Sequence, residues 1–202
     1  MKVALIGASG NAGSRILQEL VSRGHEVLAL ARHPGNVSAL TGVTVQAVDA
    51  NDIAALIRAL RGCDAVISAV KFTLAPPQHL IEAVRGAGVK RYLVVGGAGS
   101  LQVATGQLEM DSPKFPPHVR PEAQAGAAFL EMLRQSDLDW TFLSPSRFFI
   151  PGERTGKFRL GRDQLLVSAD GKSSISFEDY AMALVDELER PQHLKARFTV
   201  GY

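Results

Sequence analysis

The chain has 202 residues, 46% of them hydrophobic and 21% charged, with a formal net charge of +2. That composition supports a buried core and excludes a disordered chain, while so small a charge, with its Lys and Arg scattered, excludes a nucleic-acid-binding role. The lone cysteine, Cys63, excludes a disulfide framework and a cysteine-based zinc site and points to a reducing, cytoplasmic setting.

The chain opens on "KVALI" (2–6), a short apolar run stopped by glycine, as a buried parallel strand is. A helix over 11–23 follows, with Ala12, Ile16, Leu20 and Val21 on one face. "EVLALA" (26–31) and "VTVQAV" (43–48) read as the second and third strands, and 52–60 as a helix. "DAVISAV" (64–70) is a fourth strand, 77–87 a helix opening on proline, and "RYLVVGG" (91–97) a fifth strand. Strands alternating with helices predict α/β architecture: a doubly wound parallel sheet of the Rossmann kind.

After Gly97 the periodicity fades. Residues 98–121 hold four prolines and read as a long loop. A helix over 122–135 and a sixth strand, "WTFLS" (140–144), come next. Residues 145–175 read as irregular or short-stranded. "SISFEDYAMALVDELE" reads as a helix with Ser176 as N-cap and Asp179 completing a variant capping box, and "RFTVGY" closes the chain as a strand. The expected organisation is one dinucleotide-binding domain, 1–202, with a small C-terminal extension, and 98–121 and 145–175 on the substrate side. No stretch approaches the roughly 20 apolar residues of a membrane span.

"GASGNAG" (7–13) sits between the first strand and the first helix. There Gly7 permits the tight turn, Gly10 lets a pyrophosphate approach the backbone, and Gly13 lets helix and strand pack. The helix N-terminus offers free N–H groups to phosphate, and Ser9 and Asn11 add hydrogen-bonding side chains. The alternative is three turn glycines of any α/β protein.

"VALIGASGNAGSRILQEL", "ALARHP", "LDWTFLSPS", "ISFEDYAMALVDELERPQH" and "RFTVGY" together resemble the atypical short-chain dehydrogenase/reductases. More narrowly they resemble the small NAD(P)-binding proteins described as NADH-flavin reductases, whose relatives include biliverdin reductase B-like enzymes and redox sensors. The resemblance covers nearly the whole chain and implies a cofactor-binding set of Gly7, Ser9, Gly10, Asn11, Ala12, Gly13, Arg32, Asp49, Ala69, Val70, Gly97 and Pro145. Arg32 stands where NAD-specific sites carry a carboxylate, so NADP(H) is expected over NAD(H), although Arg32 could equally be a solvated strand-end residue. Asp49 would meet the adenine or cap the next helix, in competition with Asn51 and Asp52.

The family's Tyr-x-x-x-Lys pair is missing. None of Tyr92, Tyr180 and Tyr202 is followed by lysine four residues on, and the helix after the fifth strand carries neither residue. Hydride transfer to a flavin or quinone-like acceptor survives that loss, because it depends on stacking and distance. Glycines 96, 97 and 99 would leave room for a planar ring. Phe148, Phe149 and Phe158 offer stacking surface, Arg147 a cation, and His118 a proton donor. The expected function is NADPH-dependent reduction with FMN or FAD as substrate, the catalytic residues being unassigned and no metal implied. The alternatives are a redox-sensing module without catalysis and a nucleotide-sugar epimerase. The expected partner is a small molecule, with no nucleic acid or membrane, and the chain is a monomer or homodimer.

Overall fold

The computed structural model describes residues 1–103 and 106–202. Strands β1 (Lys2–Ile6), β2 (Glu26–Ala31), β3 (Val43–Ala47), β4 (Ala65–Ser68), β5 (Arg91–Val95), β6 (Asp139–Pro145), β7 (Phe148–Ile150), β8 (Arg159–Gly161), β9 (Ser174–Ser176) and β10 (Ala196–Gly201) alternate with five helices. The helices are α1 (Asn11–Ser22), α2 (Ile53–Leu60), α3 (Pro77–Gly86), α4 (Arg120–Arg134) and α5 (Phe177–Glu189). The main sheet has the order β3-β2-β1-β4-β5-β6-β10-β8, parallel except where β8 pairs antiparallel with β10. Its first six strands follow the dinucleotide-binding order 3-2-1-4-5-6, which places a ligand crevice where the order reverses, beside β1.

Each face of the sheet buries its own core. Ile16, Leu17 and Leu20 of α1 meet Leu184, Val185 and Leu188 of α5 over one face. Leu56 and Leu60 of α2, Leu80 and Val84 of α3, and Phe129, Leu130 and Leu133 of α4 cover the other. The near-continuous apolar runs of the strands follow from this two-sided burial.

Several boundaries differ from the sequence reading, and the larger differences have physical reasons. The fourth and fifth strands stop at Ser68 and Val95, because Ala69–Val70 and Gly96–Gly97 leave the ladder to border the crevice. The 98–121 segment is more ordered than its composition suggests, with 3₁₀ turns at Glu109–Asp111 and Pro117–Val119 and bridges from Gln102 to Leu108 and Gln164. Helix α4 starts two residues early because Pro121 fits the first turn, where its missing N–H costs nothing. The segment 145–175, read as irregular or short-stranded, carries the short strands β7 and β8 and the start of β9, whose last residue is the Ser176 cap. The C-terminal extension is built into the domain: α5 covers the α1 face and β10 lies inside the main sheet.

Ser176 caps α5, its Oγ accepting from the Asp179 N–H at 2.9 Å. The reciprocal half of the expected capping box does not form, because the Asp179 carboxylate is occupied elsewhere. Fully buried, it accepts from Thr155 Oγ1 (2.6 Å), the Gly156 N–H (2.8 Å) and Tyr202 Oη (2.9 Å). One carboxylate thus fastens the 151–157 segment and the C-terminal residue to α5. Asp179→Ala would strand buried donors, so we expect a loss of about 3 kcal/mol in urea denaturation; a loss below roughly 0.5 kcal/mol, the size of an ordinary surface change, would show that these bonds hold nothing.

Candidate dinucleotide site and adjoining cleft

The first βα turn is built by two glycines in contact. Gly7 has φ +87°, a left-handed conformation open to glycine, and a Cβ there would lie 2.7 Å from the Ala69 carbonyl oxygen. A Cβ on Gly13 would lie 2.1 Å from the Gly7 carbonyl oxygen, far inside contact distance. Gly10 differs. Its φ −75° and ψ 169° suit any residue, and a Cβ would stand 3.4 Å from its nearest neighbour, the Gly7 oxygen. Fold geometry therefore demands glycine at 7 and 13 but leaves position 10 free. The surface next to Gly10 is the N-terminus of α1, which has no side-chain cap and no acidic residue in its first turn. Its first N–H groups and the helix dipole face outward, as anion binding requires.

Beside this turn, along the C-terminal ends of β1, β2 and β4, opens a pocket of about 240 Å³. Gly7, Ser9, Gly10, Arg32, Asp49, Ala69 and Val70 line it, joined by His33 and Lys71. Hydrogen bonds from the Asn51 backbone and side chain, with the Arg32 charge nearby, hold the Asp49 carboxyl below its ordinary range. Helix α2 is capped by Asp52, whose Oδ1 accepts from the Ala55 N–H at 2.9 Å, so Asp49 is not the cap. Asn11, Ala12 and Gly13 line no part of the pocket: Asn11 is exposed, Ala12 half-buried, and Gly13 is the buried contact under Gly7.

Gly97 and Pro145 lie in a second cleft of about 230 Å³, over the ends of β5 and β6. Its walls are Phe72, Phe115 and Phe149, with Ala98, Ser100, Ala123, Gly126 and Ser146 between them and Glu109, Glu122 and Arg147 as the charged groups. Phe72 stacks on Phe142, with centroids 6.1 Å apart, and a Cβ on Gly126 would meet its ring at 2.7 Å. That explains a glycine in mid-helix, at a cost of about 1 kcal/mol of helix propensity. Glycines 96, 97 and 99 all line the cleft, but only at Gly97 would a Cβ find room, 3.6 Å from the Phe72 ring. A Cβ on Gly96 would strike Phe142 at 2.4 Å and one on Gly99 would strike Ala123 at 2.5 Å, so both serve packing.

Other expectations for this cleft need correcting. Phe148 is 55% exposed and Phe158 packs on the α1–α5 core, so neither lines it. His118 is exposed on its 3₁₀ turn outside the cleft. Arg147 is no free cation, since Nε and Nη2 donate to Glu109 at 2.6 and 2.9 Å. Glu122 accepts from the Phe72 N–H (2.7 Å) and from the Thr73 N–H and Oγ1 (3.1 and 2.7 Å). Sequence reasoning missed Phe72, Phe115 and Glu109; the unexplained Gly126 was the one available signal that a ring lies against α4.

No tyrosine reaches the cleft. Tyr92 is fully buried, 2.9 Å from Ser68 Oγ, and Tyr180 is fully buried, donating to the Leu143 carbonyl at 2.6 Å; burial pushes both phenols well up. Tyr202 is bonded to Ser176 and Asp179. Among the described residues no cluster of His, Cys, Asp and Glu could hold a metal ion, and no helix is long and apolar enough to cross a membrane.

A family model described as NAD(P)H-binding matches residues 7–191. YwnB of Bacillus subtilis (strain 168), an uncharacterized protein, is 43% identical over a 213-residue alignment that covers 99% of this chain and 98% of YwnB. A Bacteroides thetaiotaomicron structure described as an inferred epimerase is 42% identical, with a TM-score of 0.94 over 100% of this chain and 96% of its own. A Streptococcus pneumoniae TIGR4 structure described as an inferred NADH-flavin reductase is 38% identical, with a TM-score of 0.86 over 100% and 99%.

The glycine geometry separates fold from binding. Gly10→Val should leave the melting temperature within a few degrees and weaken NADP(H) binding at least about tenfold by calorimetry. Gly13→Ala should instead prevent stable folding. Unchanged affinity in Gly10→Val would remove the anion-binding role of this turn.

Proposed function

The chain belongs to the NAD(P)H-binding Rossmann oxidoreductase family, and on that premise we propose that it is an NADPH-dependent reductase of a flavin or quinone-like planar acceptor. The first pocket suits a dinucleotide: Gly10, the N-cap of an uncapped α1, lines it with bare backbone, and Arg32 and Lys71 bring positive charge to its rim. Ser9 and Gly10 would hold the pyrophosphate, and Asp49 the adenosine. Arg32 would pair with a 2′-phosphate, which no carboxylate at the end of β2 repels. Ala69 and Val70 would border the middle of the cofactor, and Gly97 and Pro145 its far end. A reduced nicotinamide supplies a hydride when bound.

The observation that carries the acceptor class is the make-up of the second cleft. It is walled by three aromatic rings and contains no tyrosine or lysine that could act as a proton donor. Its charged side chains are all engaged with each other or with backbone. The chain's own contribution is then orientation and exclusion of water: Phe72, Phe115 and Phe149 offer flat apolar surface, and Gly97 leaves space above it. A substrate that takes its proton from solvent is served by such a site, whereas ketone reduction or epimerisation needs a placed acid and base. A redox sensor would share the first pocket and show binding without turnover.

NADPH mixed with FMN or a simple quinone should be oxidised above background. No oxidation across several planar acceptors, with NADPH and NADP⁺ still bound, would replace the reductase with the sensor. Arg32→Glu should weaken NADPH about tenfold more than NADH; equal losses would show that Arg32 does not meet the phosphate.

A further inference from the structure

The Arg147–Glu109 pair is the least explained feature of the cleft. Arg147 follows β6, and its backbone N–H donates to Ser173 Oγ at 3.1 Å. Glu109 comes from the 3₁₀ turn of the long loop and is only 6% exposed. A buried carboxylate in apolar surroundings is costly unless paired, so this pair is held rather than transient. The contact is side-on, through Nε to Oε1 and Nη2 to Oε2. A guanidinium has further N–H donors, and the side-on mode leaves those on Nη1 and the second on Nη2 uncommitted to Glu109. Arg147 lines this cleft and a neighbouring pocket walled by Gln102 and Leu165, and its side chain is 42% exposed, so those N–H groups are accessible on a guanidinium held in place by the buried Glu109. The remaining charged side chain, Glu122, is negative and already holds three donors.

We propose that Arg147 is the specificity-determining donor of this cleft, hydrogen-bonding a carbonyl oxygen of an uncharged planar ring, with Glu109 as the positioning residue that turns anionic rings away. The inference rests on the reductase reading for its substrate class and goes beyond it by separating neutral from anionic acceptors. A neutral carbonyl gains a charge-assisted bond to a guanidinium that needs no reorganisation. An anionic ring gains little from a neutralised pair and would meet the Glu109 and Glu122 carboxylates.

Two anthraquinones test this by binding alone: the 2-hydroxymethyl compound, which is neutral, and the 2-sulfonate, which is anionic on the same ring. Calorimetry on the NADP⁺-loaded protein should show the neutral ring bound at least about tenfold more tightly. Arg147→Met should lose about tenfold for the neutral ring. Glu109→Gln leaves the cation uncancelled and should reverse the preference toward the sulfonate, which a merely structural role would not do. NADP⁺ affinity within about twofold of the original in each variant reports an intact fold, and should Glu109→Gln fail that check, Arg147→Met alone decides. Equal binding of the neutral ring by Arg147→Met, a preference of the original protein for the sulfonate, or no binding of either ring would overturn the proposal. Binding with this selectivity but no NADPH oxidation removes the reductase reading and keeps this one; turnover of a neutral quinone indifferent to Arg147→Met does the reverse.

Discussion

Gly13 lies directly on the Gly7 carbonyl, where a Cβ would come within 2.1 Å of oxygen. This contact sets how closely α1 approaches the end of β1. Because the approach is so close, the first turn of α1 starts at the sheet's C-terminal edge, near Ala69 just after β4 and Arg32 just after β2. Strand order brings those three ends together, and the glycine contact leaves them an open corner of the kind that anion sites use. Gly10 is the one member of the triplet that packing does not require, and so the one whose bareness calls for a ligand.

The second cleft is built differently, by long-range fastening rather than a local turn. Arg197 of β10 reaches Ser100 at 2.9–3.0 Å and Asp163 at 2.6–2.8 Å, tying the segment after β5 to the loop beyond β8. Arg147 and Glu109 join the end of β6 to the same long loop. Asp179 fixes 155–156 and Tyr202, while Arg154 reaches the buried Glu19 on α1 through two bonds of 2.8 and 2.9 Å. The C-terminal third of the chain thus clamps the cleft walls to the first strands and helices of the sheet. This explains why the "FEDYA" stretch is so distinctive without contributing a residue to the cleft: its aspartate and tyrosine are wholly consumed in holding the fold.

Much of this was legible in the sequence, because strands buried on both faces and helices with one apolar stripe leave periodic marks. The alternation of 2–97, the Ser176 cap and the roles of Gly7 and Gly13 all follow from local rules. The aromatic cleft was not legible for the opposite reason. Glu109 and Arg147 stand 38 residues apart, and nothing in either neighbourhood announces the other. Phe149 was identifiable as a wall residue but Phe72 and Phe115 were not, since one follows a strand end and the other sits among prolines, where exposure is the ordinary expectation. Gly96 and Gly99 misled by composition, looking like open space while serving as contacts for Phe142 and Ala123.

The central claim is that one bound dinucleotide runs from the Gly10 turn to the aromatic cleft. A crystal structure of the protein with NADP⁺ tests it most directly. The account predicts the pyrophosphate against the Gly10 backbone and the N-terminus of α1, the 2′-phosphate beside Arg32, and the nicotinamide between Gly97 and Pro145 at the mouth of the cleft. A pyrophosphate away from that helix end, or a nicotinamide outside the cleft, would contradict it.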